Sequence, residues 1–468
     1  MRSITRFFMA FTVLWAALAQ PASAQSVLRD AETETFFRDA SKPLIAASGL
    51  SPKNVDIVLL QDKSINAFVA GGQRVYIHSG LIAEASSVGE LQGVIAHELG
   101  HVAGGHIIRI NEGAKAATSI SLLSLIAGAA AMAMGAGEAG AAIMQAGQQA
   151  AMGKFLAFSR NQEASTDQAG AKYLAAAGIS GRGKLAFFKK LQNQEFRYGI
   201  KQDDGYARTH PLTGERIATL EEVFKASPAW TKPDDPVLEA RFQRVKAKLA
   251  GYTQHIDRVL ASYPESNQSE PALYARGYAW HQAKFPDRAA REIAKLVAKR
   301  PSDPYYLELQ GQVLLETGKP REALGPLRQA VARAPDQPLI AATLGHALIS
   351  TEDKAYFTEA KDLLRTAVNR DNNNPFAWYQ LGIVYAREGD EPRAALATAE
   401  RYNLEGNPRL ALSSATAALR GIPTGTPDWI RAQDISMVSC TEIFREAGGK
   451  ARSDRPRRGF ETCADARR

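Results

Sequence analysis

Three residues in the stretch GVIAHELGHVAGGH (93–106) have the types and spacing of a metal-binding site. His97 and His101 are four positions apart, so on a helix they share one face and can reach the same ion. Glu98 is offset by one residue, which would bring its carboxylate to a water on that ion. The alternative is a polar helix face, but the neighbouring residues are apolar, which favours the metal site.

A catalytic zinc site normally has three protein ligands and a water, so one ligand is still required. His106 is nine residues after His97, whereas a longer three-histidine motif would need its histidine where the chain has Ile107. A carboxylate from a second helix is the other solution. The stretch NQEASTD offers Glu163 as the ligand and Asp167, four residues on, to fix the ring of a ligand histidine. The alternative for this pair is a solvated helix face.

The elements that must position these residues can be predicted from periodicity and turn residues. Apolar residues recur at helical spacing through the histidine stretch, and two short strand patterns precede it, the second interrupted by Gly71-Gly72. The pattern predicts helices over 27–48, 89–110, 151–178 and 184–192, strands within 54–62 and 65–80, and a loop entering a helix over 203–224.

An uncharged segment separates the two halves of the predicted site. Residues 116–137 contain no charge over 22 positions, which is long enough to span a bilayer. A single span here would leave the two halves of one site on opposite sides of a membrane. We therefore favour a Gly/Ala-rich loop or hairpin over 116–147 that covers the site or touches a membrane surface.

The C-terminal half repeats itself with a period of 34 residues. Gly277, Gly311 and Gly345 are 34 apart, and the segment WYQLGIVYAREGDEPRAA (378–395) has the tetratricopeptide spacing. Such helical pairs stack into a solenoid. The fold class is therefore α+β and mostly helical, with a metallopeptidase domain that contains a small sheet, followed by an all-α tetratricopeptide solenoid.

The N-terminus has the pattern of a secretory signal peptide. A basic start, an apolar run and PASA before Gln25 favour export over the alternative, a membrane anchor.

The formal charge of the chain is +8, of which the signal contributes +2 and the last 38 residues +3. The remaining charge of about +3 is too small to favour a nucleic-acid partner. The chain contains two cysteines, Cys440 and Cys463, and they could pair in an oxidising compartment.

A Pro-rich connector, ASPAWTKPDDP (226–236), marks the best domain boundary. We predict a signal peptide at 1–24, a peptidase domain at 25–226, a linker at 227–236, a repeat domain at 237–430 and a solvated basic tail at 431–468.

The segments NAFVAGG, VYIHSGLI, GVIAHELGHVAGGH and NQEASTD, in this order, resemble the gluzincin metallopeptidases that include HtpX-like and CAAX prenyl protease enzymes. The signal peptide and the repeats narrow the resemblance to the soluble periplasmic type. It extends over residues 27–430 and implies one Zn²⁺ per chain.

The resemblance also implies residue roles. It makes His97, His101 and Glu163 the zinc ligands and Glu98 the general base. In this type a histidine in a Thr-His-Pro segment can occupy the fourth zinc position and keep the enzyme latent.

Here that histidine is His210; the alternative is an ordinary residue near a helix N-cap, before Pro211. Arg216 would help bind the oxyanion, and the strand from Asn66 would pair with substrate, although it could also be a plain sheet edge.

The expected function is a zinc endopeptidase of the periplasm, peripheral to the outer membrane. It would act on misassembled outer-membrane proteins and bind clients or assembly-machinery proteins through its repeats, with peripheral membrane contact and no nucleic acid. The alternative is a chaperone or scaffold repeat protein whose metal site is vestigial or structural.

Overall fold

The computed structural model describes residues 26–134, 136–198, 210–211 and 213–446. The predicted signal peptide lies outside these residues, as do most of the predicted tail and the segment 199–209. The chain divides into two compact units. Unit 1 comprises the chain up to Leu28 and Phe37–Glu239, and unit 2 comprises Arg29–Phe36 and the chain from Ala240 onward.

Unit 1 carries the sheet and the helices of the predicted site. Its strands are β1 Ser26–Leu28, β2 Asp56–Gln61, β3 Ala67–Ala70 and β4 Arg74–His78. Its helices are α1 Ala31–Ser48, whose first turns belong to unit 2, α2 Ser79–Glu84, α3 Val88–Ala103, α4 His106–Ala133, α5 Gly137–Ala176, α6 Arg182–Tyr198 and α7 Gly214–Lys225.

The sheet has the strand order β1-β2-β4-β3. β2 and β4 run parallel, whereas β1 and β3 pair antiparallel with their neighbours. Gly71 and Gly72 both have positive φ, so they form the turn that returns β3 into β4. β3 therefore lies at one edge of the sheet.

Helix α3 begins and ends on local signals. The Ser87 hydroxyl accepts a hydrogen bond from the Glu90 amide, and the Glu90 carboxylate accepts one from the Ser86 amide, which caps the first turn. The prediction of one helix over 89–110 was wrong at its end. Gly105 has a φ of 60°, a left-handed conformation that breaks the helix, so a second helix, α4, begins at His106.

Helices α4 and α5 form a long antiparallel hairpin, of 28 and 40 residues, that contains the uncharged segment. The two helices meet along glycines. A Cβ atom on Gly128 would lie 2.6 Å from the carbonyl oxygen of Gly140, so only glycine allows this approach.

Unit 2 is an array of helical pairs. Its helices are α8 Pro236–Thr253, which begins in unit 1, α9 Ile256–Ser262, α10 Glu270–Gln282, α11 Pro286–Lys299, α12 Pro304–Glu316, α13 Pro320–Arg333, α14 Pro338–Ser350, α15 Phe357–Arg370, α16 Pro375–Glu388, α17 Glu391–Leu404, α18 Pro408–Gly421 and α19 Pro427–Glu446, with a 3₁₀ turn at Lys354–Tyr356. Proline opens most of these helices because its fixed φ suits the first helical position.

The repeated glycines lie where the two helices of a pair cross. A Cβ atom on Gly345 would lie 2.7 Å from Cγ of Leu364, which is buried on the second helix of the same pair. The mostly helical α+β class, with a small sheet before the helical repeats, is thereby confirmed.

The end of the chain differs from the prediction. Helix α19 extends to Glu446, so the expected solvated tail from Arg431 is helical over its first part. Buried polar and apolar residues such as Ile435 and Ser436 hold this helix against its neighbours. Cys440 is buried in α19, but its predicted partner Cys463 lies outside the described residues, so their pairing stays a prediction.

Candidate active site

Helix α3 carries the histidine motif into the interior of unit 1. His97 and Glu98 are fully buried and His101 is 9% exposed. The apolar residues of the motif, such as Leu99, form the core around them. Burial lowers the pKa of both His97 and His101, so both rings are held in the neutral form that binds metals.

The remaining ligand of the site is on α5, which packs closely against α3. A Cβ atom on Gly100 would lie 2.9 Å from Cγ2 of Thr166, so any larger residue would push the helices apart. This contact places Glu163 opposite the histidines. Its Oε2 lies 3.3 Å from His97 Nε2, and its Oε1 lies 3.2 Å from His101 Nε2.

The ligand atoms converge on a common centre. His97 Nε2 and His101 Nε2 are 3.2 Å apart, and His210 Nδ1 is 3.3 Å from His97 Nε2 and 3.1 Å from Glu163 Oε1. Ligands about 2.0–2.1 Å from a tetrahedral zinc are separated by about 3.3 Å. His97, His101, Glu163 and His210 can therefore hold one metal ion, with all four ligand atoms within 4.8 Å of one another.

The protonation of His210 follows from its second nitrogen. Nε2 lies 3.3 Å from the carbonyl oxygen of Ala67 in β3, and a carbonyl can only accept. Nε2 therefore donates, and in the neutral ring Nδ1 presents a lone pair to the centre. Burial by itself lowers the pKa of His210, but the charges of Glu98 and Glu163 raise it above its usual value.

Asp167 orients the first histidine. Its Oδ1 accepts a hydrogen bond from His97 Nδ1 at 3.0 Å, which leaves Nε2 unprotonated and facing the centre. Lys184 Nζ also donates to Oδ1, at 2.8 Å, and Arg216 Nε donates to Oδ2, at 2.8 Å. Although burial raises the pKa of Asp167, Lys184 and His97 hold it well below its usual range.

His106 lies beside His101, as Asp167 lies beside His97. Its Nδ1 lies 3.0 Å from His101 Nδ1 and 3.0 Å from the Thr166 hydroxyl. Burial, with the nearby charge of His101, lowers the pKa of His106 to about 4, so the ring is neutral near pH 7. It can then accept a hydrogen bond from His101 Nδ1, which leaves His101 Nε2 for the metal.

Glu98 stands apart from these contacts. Both of its carboxylate oxygens are buried and accept no hydrogen bond from any residue that the structure describes. The ring of His210 is close by, with Nε2 3.6 Å from Oε1. Burial raises the pKa of Glu98, as expected for a carboxylate that exchanges protons near neutral pH.

Arg216 is engaged with the site and its loop. It donates to Asp167, lies 3.0 Å from Glu163 Oε2 and donates to the Pro211 carbonyl at 2.6 Å. These contacts hold the segment next to His210 against both carboxylates. The oxyanion role predicted for Arg216 stays a prediction, and these contacts give it a second role as a clamp.

The buried charges of the site do not balance. With neutral imidazoles, the carboxylates Glu98, Glu163 and Asp167 outnumber the cations Lys184 and Arg216 by one (three minus two). The lone pairs of the imidazoles and the surplus negative charge both suit a divalent cation.

A family model matches the part of the chain that builds this site. Residues 32–224 match the model of Peptidase family M48. These residues form a peptidase M48 domain. The M48 domain makes the chain a metalloendopeptidase, and the predicted family and enzyme class are confirmed.

Two of the similar proteins match this chain over both the M48 domain and the repeats, and a third matches a shorter part. The beta-barrel assembly-enhancing protease of Escherichia coli (strain K12) is 25% identical over 373 residues, 79% of this chain and 75% of that protein. The protein of the same name from Yersinia pestis is 24% identical and covers 80% of this chain and 76% of its own length. Metalloprotease LoiP of Escherichia coli is 26% identical over 44% of this chain and 77% of its own.

Solved structures also match part of the chain. That of MamA protein is 20% identical and covers 40% of this chain and 97% of its own, with a TM-score of 0.30.

All the residues predicted for the metal centre lie together in the M48 domain. Glu98, Asp167 and Arg216 surround the four possible ligands, and Asn66 directly precedes the strand whose Ala67 carbonyl contacts His210. The sequence analysis missed Lys184, since a lone lysine on a predicted helix has no distinguishing pattern. It set aside His106 as a ligand, although the two preceding glycines were a signal that the chain turns back there.

Proposed function

We propose that this chain is a zinc endopeptidase of the periplasm that cleaves outer-membrane proteins when they assemble badly. One observation carries the catalytic part: a buried carboxylate without a hydrogen-bond partner among the described residues, Glu98, lies beside four converging ligands. The names of the relatives from Escherichia coli and Yersinia pestis support the compartment and the substrate class.

The residues present fit zinc, with nitrogen and carboxylate ligands at tetrahedral separations. When bound, zinc polarises the scissile carbonyl and acidifies the attacking water. Glu98 accepts the proton of that water and delivers it to the leaving amine. Asp167 and His106 keep the Nε2 atoms of the two histidines directed at the metal.

The edge strand β3 is suited to bind an extended substrate. Its partner β4 lies on one side only, so a peptide could add to the other side by main-chain hydrogen bonds. His210 contacts the Ala67 carbonyl at this strand and also fills the fourth ligand position. In the proposed resting state, His210 therefore blocks both the metal and the start of the substrate strand.

The repeats of unit 2 would bind clients or assembly-machinery proteins. Part of this unit already holds the chain's own segment Arg29–Phe36, where Ala31 packs with Leu307 and Ile340. Partner proteins would accordingly bind other surfaces of the repeats.

Replacement of Glu98 by Gln tests the catalytic assignment. Glu98→Gln keeps the shape of the side chain but cannot accept the proton, so cleavage of an unfolded outer-membrane barrel protein should fall at least about 10³-fold while bound zinc is unchanged. Glu222→Gln, at an exposed position of α7, is the matched control. If the purified Glu98→Gln protein cleaves at the wild-type rate, the assignment is wrong.

Replacement of His210 by Ala tests latency. The three remaining ligands retain the metal and a coordination position opens, so basal cleavage should rise several-fold. Zinc content and cleavage are measured on the same samples. Unchanged or lower cleavage at full zinc content would refute the proposed block.

A further inference from the structure

The tip of the α4–α5 hairpin, residues 116–153, exposes large apolar side chains to solvent. Such clusters on soluble proteins mark interaction sites. The exposed apolar residues of this tip are Leu122, Leu123, Leu125, Ile126, Met132, Met134, Ile143 and Met152.

One helix within the described residues is long and apolar enough to cross a membrane, Asn111–Ala133, and it belongs to this hairpin. A core helix of a soluble protein would be mostly buried, but only 6% of its apolar window is buried. It also lies far from the N-terminus, so it is not a signal sequence. Neither ordinary explanation of such a helix applies.

The exposed large apolar residues of α4 span a broad arc, and residues 116–137 contain no charged residue that could form an opposite face. Leu122, Leu123, Leu125 and Ile126 are exposed at nearly consecutive positions, and successive residues of a helix point about 100° apart. A helix that lies flat on a membrane has one apolar and one charged face. This arrangement instead suits a hairpin surrounded by lipid.

Two hydroxyls inside the tip are satisfied within their own helix. The hydroxyls of Ser119 and Ser124 donate to carbonyl oxygens of their own helix, those of Lys115 and Ser121. Gly128 and Gly140 allow close backbone contact between the helices, as small residues do in membranes. Gln145, Gln148 and Gln149 are exposed on α5 between the turn and Lys154, within about 14 Å of Lys154 along the helix.

Charged residues mark the base and the turn of the hairpin. Lys115 on α4 and Lys154 on α5 are exposed, and Glu138, in the first turn of α5, is the only charged residue between them. The stretch 116–133 is about 27 Å long, close to the ~30 Å of a hydrocarbon core. Exposed Arg160 lies further along α5 toward the metal centre and adds positive charge, whereas the exposed Arg109 on α4 pairs with Glu112 at 3.4 Å.

We propose that the hairpin tip inserts, turn first, into an anionic phospholipid bilayer, with Lys115 and Lys154 at the headgroups. Glu163 follows Lys154 by nine residues on α5, so the metal centre would lie about 14 Å from the headgroup level. Insertion would favour substrates held at a membrane. That consequence rests on the proposed proteolysis, whereas insertion itself does not.

Flotation with vesicles tests insertion. The mature full chain carrying Glu98→Gln, which should not cleave, is mixed with phosphatidylcholine vesicles with or without one quarter phosphatidylglycerol. We expect it to float with the anionic vesicles. The triple change Leu122→Glu, Leu123→Glu and Ile126→Glu, at side chains 57%, 68% and 60% exposed, should reduce the floated fraction at least about tenfold without loss of folding.

The control has the same charge change at exposed apolar residues elsewhere: Val237→Glu, Phe285→Glu and Ile430→Glu. It should float like the parent. Flotation of the Leu122/Leu123/Ile126 variant at the parental level would overturn the proposal, because attraction to the basic residues alone would then explain binding. A parent that fails to float but forms oligomers that this variant abolishes would overturn it too, and would make a second copy the occupant.

Insertion depth separates a spanning tip from surface contact. Leu125→Trp adds one tryptophan to the tip, and its fluorescence is obtained by subtracting that of the unsubstituted chain. This fluorescence should shift to the blue on anionic vesicles. Lipids brominated on their acyl chains should quench it. An added signal identical to that in buffer would contradict insertion.

Discussion

Both units bury a cluster of charged side chains. The side chains in unit 2 pair with opposite charges, whereas those of the metal centre direct ligand atoms at one point. In unit 2 three carboxylates of the cluster face a cation: Arg244 lies 2.6 Å from Glu32 and 2.7 Å from Asp303, and Lys248 lies 2.5 Å from Asp30. In the M48 domain, Glu163 and three imidazoles direct lone pairs at one another. Paired charges hold parts of the fold together, whereas acceptor atoms that converge on one point indicate a metal site.

Loss of Glu163 should have the largest effect, because it breaks the metal centre. Glu163→Ala leaves only the two motif histidines and His210 around the metal and removes a carboxylate on which these rings converge. Zinc binding should weaken at least about 100-fold, and cleavage should become undetectable. Zinc titration and peptidase assays measure the two effects, with exposed Glu222→Ala as the control. Full zinc affinity in Glu163→Ala would remove this residue from the ligand set.

Loss of Arg244 should damage the paired cluster without touching the metal. Arg244→Met leaves Asp303 without its cation and Glu32 with only Lys248, 3.6 Å away, and loss of one partner of a buried pair typically costs about 3–5 kcal/mol. Chemical denaturation should show this loss in unit 2, and hydrogen exchange should increase over residues 29–36. Exposed Arg258→Met should change neither. An Arg244→Met protein as stable as wild type would show that the cluster contributes no net stability.

The smallest effect concerns pH. Burial, opposed by Lys248 and reinforced by Asp30 and Glu32, raises the pKa of Glu308 to about 8, against about 4.3 in an unfolded chain. Between these values the folded state binds the extra proton, so this residue lowers stability as pH rises. Glu308→Gln should therefore gain stability relative to the wild type as pH rises from 5 to 8. Thermal unfolding across this range measures the gain; a pH-independent difference, or an equal gain in exposed Glu322→Gln, would contradict it.

The repeats were predictable because their contacts are local. Gly311 packs against Leu327 of the next helix in the same pair, and a 34-residue period copies that contact along the chain. Periodicity reports such neighbours directly. The end of the array was missed, since α19 lacks the repeated residues and is held by packing and by ion pairs such as that of Arg393 with Asp428.

For the metal centre, the sequence by itself determined the chemistry of the ligands: two histidines one helical turn apart, a glutamate beside them, and a carboxylate pair in need of a site. It did not determine that Lys184 and Arg216 would share Asp167, or that His106 would turn back onto His101. Those contacts depend on a left-handed glycine and on the close approach of α3 and α5. Only tertiary structure decides them, because they depend on how separate helices pack: Arg216 and Asp167 are 49 positions apart, and no local pattern records which side chains will share a partner.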